Sequence, residues 1–206
     1  VMMPEMDGIE TLKELKKINP NVQVVMVSGF DMANAKATLE SLENGALDFV
    51  AKPTAQNIQD GINQLQNALE PLVEIVLNKV YPKSNIEDPV PIVKPVNPLV
   101  KRASRKKIGS LDYILIGIST GGPNALQKLF ESIKISLNCP ILIVQHMPPM
   151  FTKSLAERLN QISVMNIVEA SDQETPQNGH VYIAPGGKHM VIRKNSKNVH
   201  EIRIID

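Results

Sequence analysis

Hydrophobic positions fall into two stretches of alternating helical and strand periodicity, separated by a stretch with neither. In the first, Leu12, Leu15 and Ile18 recur at helical spacing with lysines on the other face, so residues 11–18 read as an amphipathic helix. Residues 22–28 are a β-branched run, the pattern of a strand buried in a parallel sheet. Residues 33–44 return to the helical period and stop at Gly45, a residue suited to a helix C-terminus. Residues 48–51 form a short strand that ends at Lys52-Pro53. Residues 57–77 carry an apolar stripe of Ile58, Ile62, Leu65, Leu69, Leu72, Val73 and Val76, which Pro71 is expected to kink or break.

The alternation resumes after residue 111. Strands are predicted at 113–118, 140–145 and 166–169, with helices at 124–135 and 151–161 between them. A β-rich tail follows at 181–184, 190–193 and 201–205, the last two joined by a polar turn at 195–198. Strand and helix in alternation imply an α/β protein with parallel sheets and helices on their faces. Between the two stretches, residues 78–110 hold Pro82, Pro89, Pro91, Pro95 and Pro98, and eight Lys or Arg against Glu87 and Asp88. Proline at that density keeps the backbone extended, so the organisation is a first domain over 1–77, a basic linker over 78–110 and a second domain over 111–206.

Composition narrows the function classes. Aromatics make up 3% of the 206 residues and Trp is absent, which leaves an aliphatic core and argues against stacking platforms for single-stranded nucleic acid. The formal net charge is +1, so no global basic field steers the chain toward DNA or a membrane. The run Lys101, Arg102, Arg105, Lys106, Lys107 reads as a solvated linker end, because no aromatics or recognition helix accompany it. One cysteine, Cys139, rules out an internal disulfide framework and fits a reducing compartment. No apolar run reaches the length of a membrane span and no signal-peptide pattern opens the chain, so a cytoplasmic protein without membrane insertion is expected. The sequence opens on Val1 and carries apolar residues to Ile204 and Ile205, which leads to the expectation of a chain cut at both ends.

Candidate chemistry concentrates in Gly117-Ile118-Ser119-Thr120-Gly121-Gly122-Pro123, a G-x-S-x-G with a predicted strand before it and a helix after it. The glycines permit a sharp turn, Ser119 would project from the strand's carboxyl end, and the first amides of the helix offer a site for an oxyanion. A serine hydroxyl needs a base to act as a nucleophile, and the next strand ends in Gln145-His146-Met147-Pro148-Pro149. If the two strands are parallel neighbours, Ser119 and His146 emerge at one edge, where open α/β sheets bind their ligands. The same glycines also suit a phosphate-binding loop, which keeps a nucleotide-binding domain in view; no acidic strand end at the right spacing supports it. His180, His189 and His200 lack strand-end placement and are read as structural or surface residues.

Three motifs then carry a resemblance. Ser119-Thr120-Gly121-Gly122, Gln145-His146-Met147-Pro148-Pro149 and Tyr182-Ile183-Ala184-Pro185-Gly186-Gly187-Lys188-His189-Met190 resemble the catalytic domain of the chemotaxis protein-glutamate methylesterases. Residues 1–77 look like the second half of a two-component receiver domain. Met3-Pro4-Glu5-Met6-Asp7-Gly8 resembles the loop after the phosphoacceptor, with Ser28 at the switch hydroxyl, Phe49 at the switch aromatic and Lys52 at the phosphate-binding lysine. The resemblance implies a partial flavodoxin-like receiver joined by a linker to a partial doubly wound, Rossmann-like methylesterase domain. It implies hydrolysis of glutamyl methyl esters on methyl-accepting chemotaxis receptors, with deamidation of receptor glutamines as a second activity. Ser119 would be the nucleophile, His146 its general base, and Thr120, Gly121 and Gly122 the oxyanion loop. A chemotaxis histidine kinase would be the phosphodonor. No cofactor is implied for the esterase; Mg2+ is expected for an intact receiver, but its ligands and the phosphoacceptor aspartate would precede Val1. The third triad aspartate would lie beyond Asp206, since neither Asp172 nor Asp206 matches it. The chain is accordingly expected to be an inactive fragment, with a non-catalytic receptor- or kinase-binding role as the alternative.

Overall fold

The computed structural model describes residues 5–29, 31–54, 57–80 and 111–206. The first part contains α1 (Gly8–Ile18), β1 (Val25–Ser28), α2 (Met32–Glu43), β2 (Asp48–Ala51) and α3 (Ile58–Val80). Helix α1 begins ahead of its apolar stripe because Asp7 caps it. The Asp7 carboxylate accepts from the amides of Ile9 and Glu10, and the Glu10 carboxylate accepts in return from the Asp7 amide. Strand β1 is shorter than the β-branched run. Val22 is taken up in a turn, its amide donating to the Asn19 carbonyl and its own carbonyl accepting from Lys16 Nζ. β1 and β2 pair in parallel from Val25↔Asp48 to Ser28↔Ala51.

The expected break at Pro71 does not occur, and α3 runs through it to Val80. Proline deletes one intrahelical bond, but the apolar stripe continues past it and buries Leu72. Of the predicted linker 78–110, the first three residues continue this helix and the others lie outside the described residues.

The second part contains β3 (Ile114–Ile118), α4 (Gly122–Ser132), β4 (Ile141–Gln145), α5 (Phe151–Ile162), β5 (Asn166–Glu169), β6 (His180–Ile183), β7 (His189–Lys194) and β8 (His200–Ile205). Four strands form a parallel sheet in the order β3-β4-β6-β5, and β7 and β8 form an antiparallel hairpin. The first strand of the predicted tail is thus a central member of the parallel sheet. Val181, Tyr182 and Ile183 are all fully buried, which a position between β4 and β5 provides and an edge would not. The connection from β5 to β6 has no helix; the Tyr182 hydroxyl, accepting from the Gln177 amide, ties it down.

Both parts contribute to one core. Leu39 and Leu42 of α2 cluster with Leu126, Phe130, Ile143, Phe151, Leu159 and Ile183 on one face of the sheet. A smaller cluster around Leu142, Tyr182 and Ile202 covers the other face. The architecture is α/β with parallel sheets, as the alternation implied.

Candidate active site

β3 and β4 pair in parallel, and their last register pair is Ile118↔Gln145. The His146 amide extends the ladder by one bond, donating to the Ile118 carbonyl at 3.1 Å. Ser119 and His146 therefore leave neighbouring strands at the same carboxyl edge. Both are exposed, and both line a cavity of about 710 Å³ with Thr120, Met147, Pro148 and Gly187. Among the described residues, neither the Ser119 hydroxyl nor the His146 ring has a hydrogen-bond partner. That leaves each side chain free to rotate toward an incoming group, and catalytic bonds commonly tighten only around substrate.

The turn after Ser119 is built from glycine. Gly121 caps α4 at φ 69°, the left-handed conformation that side-chain-bearing residues seldom adopt. The Gly122 amide donates back to the Ser119 carbonyl at 2.8 Å, and Pro123 opens the helix where an amide is not required. The positive end of the α4 dipole thus lies directly behind the serine. On the base side, loop 185–187 packs against the loop after His146. A Cβ on Gly186 would come within 2.5 Å of the Met147 carbonyl oxygen, so only glycine lets the two backbones approach this closely. The Gly186 amide donates to Thr152 Oγ1 at 3.0 Å, and that hydroxyl donates to Glu169 at 2.6 Å.

The sequence reading missed Asp48, which enters this cavity from β2. Its Oδ2 accepts from the Gly121 amide at 3.0 Å, and its Oδ1 from the Phe49 amide at 2.8 Å. Burial pushes the Asp48 carboxyl above its ordinary value, more strongly than the two amides and the facing His146 pull it down. No local signal marks the residue, because its partner lies 73 positions away.

The receiver-like positions separate. Phe49 stacks on Phe151 of α5, ring centroids 4.7 Å apart and planes inclined by 13°. Ser28 is fully buried and its hydroxyl has no hydrogen-bond partner. Lys52 is exposed, and its amide bonds the Ser28 carbonyl at 2.7 Å, so the two mark adjacent strand ends rather than the cavity. Asp172 accepts from the Ile204 amide and from Arg203, which hold its carboxyl below the usual range, and Asp206 pairs with Lys188. Neither of those aspartates reaches His146. Among the described residues no three His, Cys, Asp or Glu side chains gather as a metal site. The described residues do not fit the Mg2+ that a receiver would hold.

A second cavity, about 610 Å³, lies along α1 and is lined by charged side chains including Glu10, Lys13 and Glu14, with no Ser, Thr, Cys or His among them. Among the described residues no helix is long and apolar enough to cross a membrane.

Residues 114–206 match the family described as CheB methylesterase, and residues 1–63 match the response regulator receiver domain. A protein-glutamate methylesterase/protein-glutamine glutaminase of Clostridium acetobutylicum is 37% identical over 96% of this chain and 54% of its own length. One of the same name from Bacillus subtilis is 40% identical over 97% of this chain and 56% of its own. The chain thus spans a little over half the length of these relatives. A crystal structure of the Thermotoga maritima CheB methylesterase catalytic domain is 39% identical, covering 46% of this chain and 49% of that one, at a TM-score of 0.43.

Proposed function

We propose that the chain is part of a protein-glutamate methylesterase of chemotaxis, a reading supported by the match of residues 1–63 to the response regulator receiver domain and of residues 114–206 to the CheB methylesterases. The observation that carries the reading is the emergence of Ser119 and His146 at one edge of adjacent parallel strands, on a shared cavity, with a helix N-terminus behind the serine. Ser119 Oγ attacks the carbonyl carbon of a glutamyl methyl ester while the His146 ring takes its proton. Negative charge on the carbonyl oxygen is met by the amides at the start of α4. The intermediate collapses to an acyl-serine, and His146 returns the proton to the departing methanol. Water then repeats the sequence, releasing the glutamate carboxylate and restoring the serine. A glutamine side chain follows the same course with ammonia as the leaving group, in keeping with the double name of the relatives.

The substrates are methyl-accepting chemotaxis receptors on their cytoplasmic side, and in the intact protein the receiver domain takes a phosphoryl group from a chemotaxis histidine kinase. The receiver part controls access, because Asp48, Phe49, Pro71 and Leu72 form one wall of the reaction cavity. The test is methanol release from methyl-esterified receptor by the intact protein and by its Ser119→Ala variant. The serine is exposed, so the variant should fold normally while release falls by at least about a thousandfold. Release that survives the substitution would remove Ser119 from the chemistry. Receptor binding without release in either protein would leave a docking module in place of an enzyme.

A further inference from the structure

We infer that Gln145 is a positioning residue whose carboxamide fastens the nucleophile loop and the base loop to one another. The inference rests on the hydrolytic reading in assigning chemistry to the two loops, but the clamp itself is a matter of geometry. Gln145 is the last residue of β4, and its side chain is buried at 6% exposure. Its Nε2 donates to the Ser119 carbonyl at 3.0 Å and to the His146 carbonyl at 3.2 Å. The two protons of a single amide nitrogen thus go to the backbones of the two residues that must share a proton. The orientation follows from the acceptors, since turning the amide over would set its oxygen against two carbonyl oxygens.

The rest of the side chain's surroundings favour this role over packing alone. Gln145 Oε1 is buried and has no hydrogen-bond partner. An aliphatic residue of the same size would fill the space without leaving an acceptor unpaired, so the amide donors are what this position gains from glutamine. The carboxamide also occupies the space beside Gly122. A Cβ there would stand 1.9 Å from Oε1 and 2.7 Å from Cδ. Gly122 is therefore needed less for its own backbone conformation than to admit Gln145. Its amide then joins Gln145 Nε2 on the Ser119 carbonyl, which accepts from both. Two separate sequence motifs, Ser-Thr-Gly-Gly and Gln-His-Met, thus meet in one object.

The test pairs a readout of geometry with one of turnover. In Gln145→Met the volume is kept and the donors are lost. Amide hydrogen exchange at Gly122 and His146 should speed by about tenfold relative to the parent, while amides of α5 keep their protection. Receptor demethylation by the same variant should lose kcat by about a hundredfold with KM within twofold, as expected when reacting groups are misplaced and binding is not. In Gln145→Glu, exchange protection should return as pH falls and the carboxyl regains a proton to donate. A side chain that merely filled space would produce no such pH dependence. Where Gln145→Met fails to fold, Gly122→Ala and the Gly122→Ala/Gln145→Ala pair replace it. The single variant should be strongly disrupted, and the double should recover the fold but not the protection of Gly122 and His146 amides. Unchanged exchange at those two amides, or exchange raised uniformly through the sheet, overturns the clamp. Local exchange that rises as described, in a parent protein that releases no methanol, would preserve the clamp and sink the hydrolytic reading instead.

Discussion

Asp48 places a carboxylate against the loop that follows Ser119, and its titration should be visible in the stability of the molecule. Its carboxyl is raised above the ordinary 3.8 chiefly by burial, with the Phe49 and Gly121 amides and His146 opposing. A carboxyl with a higher value in the folded state than in the unfolded chain holds its proton more tightly when folded. Its contribution is therefore fully present below the unfolded value and is lost as pH rises through the folded one. Melting measured from pH about 4 upward should fall more steeply in the parent than in Asp48→Asn. The asparagine keeps an oxygen for the Gly121 amide and carries no charge to desolvate. Equal slopes in the two proteins would place the burial cost elsewhere. This residue also marks where reading a sequence stops. The strand-end positions of Ser119 and His146 are legible because Ser119 directly follows an apolar run and His146 follows one closed by the single polar residue Gln145. Asp48 and Gln145 act on partners 73 and 26 positions away, and such partnerships leave no local pattern.

Among the elements, α4 sets the serine in place from below. Its apolar face, Leu126 and Phe130, is buried against the sheet and α2, with Phe130 at 0% exposure. Removing that ring by Phe130→Ala deletes a large buried side chain from a site with no solvent access, so unfolding in urea should show a loss of about 3–5 kcal/mol. A loss under about 1 kcal/mol would mean that the surrounding helices collapse into the space and that α4 is held by its glycine turn alone. Periodicity located this helix, as it did α2 and α5, because a helix laid on a sheet buries one apolar stripe, and continuous apolar runs located the strands, because a sheet covered on both faces buries every position. It misplaced β6. A short, wholly buried strand reads the same whether it closes a tail or completes a sheet, and only its neighbours decide. Of the kink or break expected at Pro71, the break does not occur. The residue-level rule was sound, but the turns on either side outweighed one missing bond.

At the scale of the whole molecule, the part that matches the receiver domain is fastened to the part that matches the methylesterases beside the candidate cavity. Phe49 stacks on Phe151, Asn124 Nδ2 donates to the Ala46 carbonyl at 3.3 Å, and Arg158 pairs with Glu43. A partly exposed ion pair contributes little, about 0–1 kcal/mol, whereas the aromatic stack adds about 0.5–1.5 kcal/mol beyond the area it buries. Phe49 is thus the fastening to remove. The cavity it walls, about 710 Å³, is ample for a glutamyl side chain. Under the proposed function, a receptor helix about 10–12 Å across with its side chains would have to lie over the rim that β2 and α3 raise. Opening that rim should therefore matter to a large substrate and not to a small one. In the intact protein, Phe49→Ala should raise demethylation of whole receptor by about tenfold while hydrolysis of a short methyl-ester peptide stays within twofold. Equal gains on both substrates would locate the effect in the catalytic groups themselves. No gain on either would mean that the receiver wall stands clear of the path a receptor helix takes to Ser119.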